Sequence, residues 1–157
     1  MHGTRDDLIR RIEVAFAEAS PPGDDKLLHP QCMDAEDIKD FYGTASWRGI
    51  PDEIVARNNA SLCFFSSEAY RFYLPAYLTW VLRHFNTSPS FAVDSTIYSL
   101  SPGEGSLREF AVSKYALLDS AQRRVVLDFL AYLDEYGSGE MDAVAVRKAI
   151  EYWSALE

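Results

Sequence analysis

Three tyrosines recur on one helix face in an apolar stretch near the middle of the chain. Tyr70, Tyr73 and Tyr77 are spaced i, i+3 and i+7, and Arg71 follows the first of them. Because Tyr and Arg are enriched at binding hot spots, this set predicts a groove for a partner segment or a small ligand. The same spacing is also typical of core packing in which the hydroxyls reach the edge of the core. The sequence leaves both interpretations open.

Four acids form a second cluster that is capable of chemistry, namely Asp34, Glu36, Asp37 and Asp40. Two carboxylates can divide acid and base work if their environments separate their pKa values. Carboxylates can also hold a hard cation, although the twelve-residue calcium-loop pattern is absent. A third interpretation is a solvated helix face with its acids near the N-terminus. For a binding protein, these acids are candidate partner contacts together with the Tyr–Arg set.

Metal ligands are sparse in the sequence. His29, Cys32 and Asp34 fall within six residues, but only Cys63 and His84 could complete a second cluster. Because zinc sites normally have paired clusters at fixed spacing, we predict no metal site. Cys63 lies in an apolar run and is predicted to be a small core residue.

A nucleophilic pair of Cys63 and His84 is rejected on distance. They flank one predicted helix and would lie roughly 20–30 Å apart along it. The chain has no Walker-type phosphate loop, no dinucleotide glycine fingerprint and no nucleophile elbow. Gly103 and Gly105 follow no predicted strand, so we expect no phosphate cradle there. We therefore predict no cofactor.

The charge balance is strongly acidic. Fifteen Lys and Arg residues face 24 Asp and Glu residues, which gives a net charge of −9. Such a field repels nucleic acid and anionic membranes and favours a basic partner. A second interpretation is that the acidity serves solubility alone. The start of the chain lacks an apolar signal stretch, and no run is long enough to span a membrane. We therefore expect a cytoplasmic protein, and its oligomeric state is not indicated.

Helical periodicity dominates the chain, and no convincing strand pattern is found. Residues 107–112 are ambiguous between a short helix and a short strand. Pro75 falls inside the strongest helix and predicts a kink or split near Leu74. We predict an all-α irregular bundle of about six to seven helices in one domain over residues 1–157. The predicted helices cover residues 6–19, 35–42, 51–58, 66–85, 90–99, 121–136 and 141–156. Thr4, Ser66 and Ser120 are predicted to cap the helices that begin beside them, and Gly43 is predicted to stop the helix at 35–42.

The sequence resembles a family of small uncharacterised bacterial proteins. The resemblance lies in Phe41-Tyr42-Gly43, in Trp47-Arg48, in the run at 65–78 with its Tyr-Leu-Pro-Ala-Tyr-Leu centre, and in 117–122 leading into 129–133. It covers roughly residues 34–133. It implies a bacterial cytosolic setting and brings no established activity or catalytic residues.

The acidity, the many aromatic residues and the missing catalytic motifs together favour a non-enzymatic protein-binding module. Its sharpest version is an immunity protein that neutralises a bacterial toxin, an analogy with other small acidic proteins. One alternative is an enzyme that uses Asp37, Asp40 or the Tyr–Arg set in a pocket. Another is a small-molecule sensor.

Overall fold

The computed structural model describes residues 4–28, 35–86, 92–137 and 141–156. In these residues the chain forms seven α-helices and no β-strand, which confirms the predicted all-α bundle. The helices are α1 (Arg5–Ala15), α2 (Asp52–Arg57), α3 (Ser67–His84), α4 (Ala92–Ser99), α5 (Gly105–Tyr115), α6 (Ser120–Tyr136) and α7 (Ala143–Ser154).

Helix α3 is the centre of the bundle. Thirteen of its eighteen residues are buried, and α1, α2, α4 and α5 all contact it. Helices α6 and α7 pack against each other, and α1 also packs against α6. A helix that is apolar on nearly every face must be covered on every side, so α3 organises the other elements around itself.

Pro75 does not split α3, because the helix is continuous from Ser67 to His84. Proline removes one backbone donor and crowds the preceding turn. Here Pro75 and its neighbours on both sides are buried. Burial of this apolar run outweighs the missing hydrogen bond, so of the predicted kink or split the split is wrong, and the kink stays a prediction.

Side-chain caps set where most of the long helices begin. Thr4 Oγ1 accepts from the Asp7 amide at 3.1 Å and Ser66 Oγ from the Ala69 amide at 3.1 Å, as the sequence predicts. At α6 the cap is Asp119 rather than the expected Ser120. A side-chain oxygen at this position satisfies one of the amides that the first helical turn leaves without a partner.

The structure differs from the sequence prediction at residues 35–41 and resolves the ambiguity at residues 107–112. Residues 35–41 form a 3₁₀ helix rather than an α-helix, and Gly43 follows with a φ of 74°, consistent with its predicted role as a stop. The ambiguous residues 107–112 are helical, within α5.

Candidate functional site

The three tyrosines of α3 belong to the core. Tyr70, Tyr73 and Tyr77 have at most 1 % of their surface exposed. Their hydroxyls donate to the backbone carbonyls of Ser99 at 3.1 Å, Phe41 at 3.2 Å and Asn58 at 2.7 Å, in that order. The structure therefore places these rings in a buried layer, as in the core interpretation of their spacing, and not along a surface groove.

The tyrosine hydroxyls have a positioning role. Each one ends at a carbonyl in a different segment, so α3 is tied to the end of α4, to the 35–41 helix and to the chain after α2. Burial raises the pKa of all three phenols, because a phenolate in the core would lose its hydration.

Arg71 is the one member of the Tyr–Arg set that reaches a surface cavity. Its Nε donates to Gln122 Oε1 at 3.2 Å, and Gln122 Nε2 donates to the Ala15 carbonyl at 3.1 Å. The cavity beside it measures about 250 Å³, and Glu68 and Leu117 also line it. The guanidinium here joins α3 to α6, and the tyrosines do not converge with it.

The acidic cluster is described only in part. Asp34 lies outside the described residues, and the side chains of Glu36 and Asp37 do as well. Asp40 Oδ2 accepts from Arg57 Nε at 3.1 Å and from Asn58 Nδ2 at 2.9 Å. The hydrogen bond from Asn58, followed by Arg57, lowers the Asp40 pKa. This carboxylate fastens the 35–41 helix to the α2 region.

The residues considered as metal ligands are separated. His29 and Cys32 lie outside the described residues, while His84 Nε2 lies 2.9 Å from Asp52 Oδ2. Cys63 is exposed, which corrects the core prediction, because the 3₁₀ turn Ser61–Cys63 buries Leu62 instead. Within the described ranges, no three His, Cys, Asp or Glu side chains are grouped to hold a metal ion.

A larger concave surface lies elsewhere, between the end of α4, the loop before α5, α5 itself and α7. We name it the Tyr98 groove, and its volume is about 750 Å³. Tyr98 and Val144 on its rim are large and unusually exposed, at 50 % and 62 %. Its lining includes Tyr98, Ser101, Arg108, Asp142, Val144 and Tyr152.

A hydrogen bond between α4 and the start of α7 shapes one wall of this groove. The Tyr98 hydroxyl donates to Asp142 Oδ2 at 2.9 Å, while Asp142 Oδ1 accepts from the Ala145 amide at 3.0 Å. The Ala145 amide, and then Tyr98, lower the Asp142 pKa. The same bond to Asp142 raises the Tyr98 pKa, because the phenol must keep its proton to donate.

Two cations in the groove differ from most of the arginines in the chain. Arg108 lies over the Tyr152 ring, 5.8 Å from its centroid, and Lys148 also lines the groove. Within the described part of the chain neither forms an ion pair. Eight arginines do form ion pairs there: Arg5, Arg10, Arg11, Arg48, Arg57, Arg83, Arg124 and Arg147.

Ser101 adds a polar atom whose hydrogen bond is missing. Its Oγ is shielded from solvent and has no hydrogen-bond partner among the described residues. The next helix, α5, begins after Glu104, whose side chain makes no capping hydrogen bond. The first amides of α5 and this hydroxyl therefore lie close along the chain with their donor capacity unused by side chains.

Sequence reasoning missed this groove. The stretch from Ser101 to Gly105 reads as an ordinary loop, and Val144 and Tyr152 read as parts of an amphipathic helix. Asp142 is 44 positions from Tyr98, so no local pattern joins them. The one available signal was the Pro-Gly-Glu-Gly turn directly before a helix, which indicates exposed amides.

Comparison with known proteins gives one match. A family model, described as a family of unknown function (DUF6714), matches residues 4–157. Neither the curated proteins nor the solved structures give a match. Across the described ranges no helix combines the length and the apolar character needed to cross a bilayer.

Proposed function

The chain belongs to DUF6714, a family of unknown function, and we propose that it is a non-enzymatic protein-binding module. The partner docks at the Tyr98 groove. The observation that carries this proposal is the exposure of Tyr98 and Val144 on the rim of one concave surface. Large apolar groups grouped at a concave surface mark interaction sites more often than single exposed residues do.

The polar groups of the groove support the same function. Arg108 and Tyr152 are stacked, and both residue types are enriched where binding energy concentrates. Glu104 and Glu151 also line the groove and, in the described part of the chain, form no ion pair. Groups of both signs that lack internal partners give a partner's charges something to pair with, which favours specificity.

The net charge of −9 points to a basic partner. Opposite charge accelerates encounter and makes it dependent on salt. In its sharpest form the proposal is an immunity protein in the bacterial cytoplasm that binds a basic toxin. The Asp40 carboxylate also supports a non-enzymatic role, because its Oδ2 already accepts hydrogen bonds from Arg57 and Asn58.

A capture experiment with matched variants tests the docking surface. Wild-type protein, Val144→Glu and Val14→Glu are immobilised, and native cytosol is passed over each at low salt. Val14 is 76 % exposed on α1 and does not line the groove, so its variant controls for the added charge. We expect the same partner protein to be recovered on wild type and on Val14→Glu, and several-fold less of it on Val144→Glu. Raising the salt concentration should release the bound partner.

Two results would contradict the proposal: no partner at any salt concentration, or equal recovery on both variants. For the immunity version, mass spectrometry identifies the recovered protein, and co-expression must then protect cells from it. Failure of protection would exclude that version while leaving protein binding intact.

A small-molecule sensor is the second candidate, because the groove volume of about 750 Å³ falls in the range of small-molecule sites, about 300–1,000 Å³. A compound library is screened for ligands that raise the melting temperature. A hit whose shift disappears in Val144→Glu but persists in Val14→Glu would favour the sensor. Absence of any such hit would count against it.

A further inference from the structure

We propose that the Tyr98 groove holds an oxyanion subsite, in which a carboxylate or phosphate group of a small ligand is bound between Arg108, Lys148 and the Ser101 hydroxyl. This inference goes beyond protein docking and does not require it. It rests on three features in or beside the groove: two cations that form no ion pair within the described residues, a shielded hydroxyl without a hydrogen-bond partner among those residues, and an uncapped helix start that adjoins the groove at Glu104.

Arg108 and Lys148 are the two cations of the groove, and neither forms an ion pair within the described residues. The chain has an excess of nine acids over bases, and eight arginines form ion pairs with carboxylates within the described residues. Arg108 instead stacks on Tyr152, with Nη1 3.5 Å from the Gly103 carbonyl. Stacking orients a guanidinium while leaving most of its donors available, and such donors bind carboxylate and phosphate in a bidentate manner.

The Ser101 hydroxyl is shielded from solvent and has no hydrogen-bond partner among the described residues. Shielded polar atoms are nearly always hydrogen-bonded, so one without a partner requires an explanation. Ser101 is one of the residues that line the groove, where an oxyanion would supply the missing acceptor. The free protein thus carries a polar atom that contributes little to folding, which is expected of a group that serves a ligand.

The start of α5 lies beside the groove and has no side-chain cap. This helix of eleven residues begins at Gly105, and the Glu104 side chain caps none of its amides. Gly105 has a φ of 62°, and nothing lies within 4 Å of where a Cβ would project. Amides without a side-chain cap at the positive end of a helix dipole favour an anion nearby. Glu104, directly before these amides, and Arg108, one turn into α5, line the groove.

The acids of the groove limit what the ligand can be. Asp142 accepts hydrogen bonds from Tyr98 and from the Ala145 amide and interacts electrostatically with Lys148, so it adds negative charge to the groove. Glu104 and Glu151 oppose a bulky polyanion, and the field of the distant acids is screened within about 8 Å at physiological salt. The subsite therefore suits a single compact oxyanion on a ligand whose body rests on Tyr98 or Tyr152.

Nuclear magnetic resonance titration of the full ¹⁵N-labelled chain tests this. Inorganic phosphate and acetate are the probes, each added at constant ionic strength against chloride. We expect saturable shifts of the amides at 101–108 with at least one probe. The probe that binds more tightly shows whether the subsite prefers a phosphate or a carboxylate group. Shifts that rise linearly with both probes would overturn the proposal.

Matched variants separate a built subsite from general attraction. Arg108→Gln and Lys148→Gln each weaken binding on the order of tenfold, as expected for the loss of one charge-assisted contact. Arg147→Gln removes the same charge from the same helix outside the groove, where Arg147 pairs with Asp134, and leaves the affinity unchanged. Equal weakening in all three variants would contradict the proposal.

Ser101→Ala distinguishes a binding role from a structural role. We expect several-fold weaker anion binding with no loss of melting temperature, because the hydroxyl has no hydrogen-bond partner in the part of the chain that the structure describes. A lower melting temperature or unchanged binding would remove Ser101 from the subsite. A failure of capture at the groove leaves these results intact, so the two proposals fail independently.

Discussion

Lys114 carries an amine into the core and is only 4 % exposed. Its Nζ donates to the Leu62 carbonyl at 2.8 Å and to the Cys63 carbonyl at 3.1 Å. It also lies 4.1 Å from the centroid of the Phe110 ring and 5.3 Å from that of Tyr70. Carbonyl acceptors and ring faces together compensate for the lost hydration of the amine. The side chain thereby joins α5 to the turn that precedes α3.

Replacing Lys114 with Met should destabilise the protein although it removes a buried cation. The carbonyls of Leu62 and Cys63 would lose these donors inside the protein, at a cost of about 1–3 kcal/mol in the free energy of unfolding. Urea denaturation of Lys114→Met and of the exposed Lys148→Met checks this. Equal stability of the two variants would contradict the role given to Lys114.

The bond between Tyr98 and Asp142 predicts a pH-dependent effect of Tyr98→Phe. Asp142 has a lowered pKa, so its contribution is present above its ordinary value of 3.8 and lost as pH falls through the lowered pKa. Tyr98 has a raised pKa, so its contribution is present below 10.0 and lost as pH rises through the raised pKa. Wild type should exceed the variant in unfolding free energy at neutral pH.

The difference between wild type and Tyr98→Phe should shrink as pH falls from 3.8 through the lowered pKa of Asp142, because this carboxyl becomes protonated there. Urea denaturation at neutral pH and at acid pH measures it. A difference that is the same at both pH values would show that the phenol contributes by packing alone.

The helix boundaries show how much of the secondary structure caps and helix breakers can predict. Caps and breakers placed most of the helices, and Gly43 lies at the end of the 35–41 helix as predicted. The same signals misplaced the start of α6 by one residue, because Asp119 and Ser120 are both good caps. Only the backbone conformation at Asp119, with a φ of −79° and a ψ of 178°, decides between them.

Asp119→Ala should destabilise α6, while Ser120→Ala should not. Asp119 Oδ1 accepts from the Gln122 amide at 2.8 Å, and Gln122 Oε1 accepts from the Asp119 amide at 3.0 Å, which together form a capping box. Loss of the cap costs about 1 kcal/mol. Thermal denaturation of both variants checks this, and an equal loss in Ser120→Ala would place the cap at Ser120.

Helix α3 shows that helix propensity alone does not predict where a helix ends. Pro75 alone predicts an interruption, yet the helix runs through it. The ring removes one donor, whereas the residues before and after it bury apolar side chains against four other helices. Tertiary packing therefore overrides a local penalty of about 3 kcal/mol.

At the scale of the whole molecule, buried phenols set a limit at alkaline pH. Tyr70, Tyr73, Tyr77 and Tyr115 are all buried, and burial raises the pKa of each above 10.0. A raised pKa contributes stability that is present below the unfolded value and lost as pH rises above it. The four together should make the fold cooperatively unstable in strong base.

We expect phenolate absorbance to rise in two phases during an alkaline titration. Exposed tyrosines ionise first, and the buried ones ionise together with the loss of helical circular dichroism. Tyr70→Phe should reduce the amplitude of the second phase. A single phase completed before any loss of helix would contradict the burial of these hydroxyls.

The sequence by itself determined the all-α class, the approximate helix boundaries and the acidic surface, because these depend on periodicity, caps and composition within short stretches. Periodicity also identified Tyr70, Tyr73 and Tyr77 as one face of a helix. It did not decide whether that face was a binding groove or part of the core, because both place rings at the same spacing.

Only the tertiary structure decided that question and placed the Tyr98 groove. Trp153 Nε1 donates to the Leu100 carbonyl at 2.8 Å and fixes α7 against the end of α4. This docking brings Val144 and Lys148 opposite Ser101 and Arg108 across one cavity. Residues more than thirty positions apart meet because burial of the α7 face selects one arrangement, and no local pattern encodes that choice.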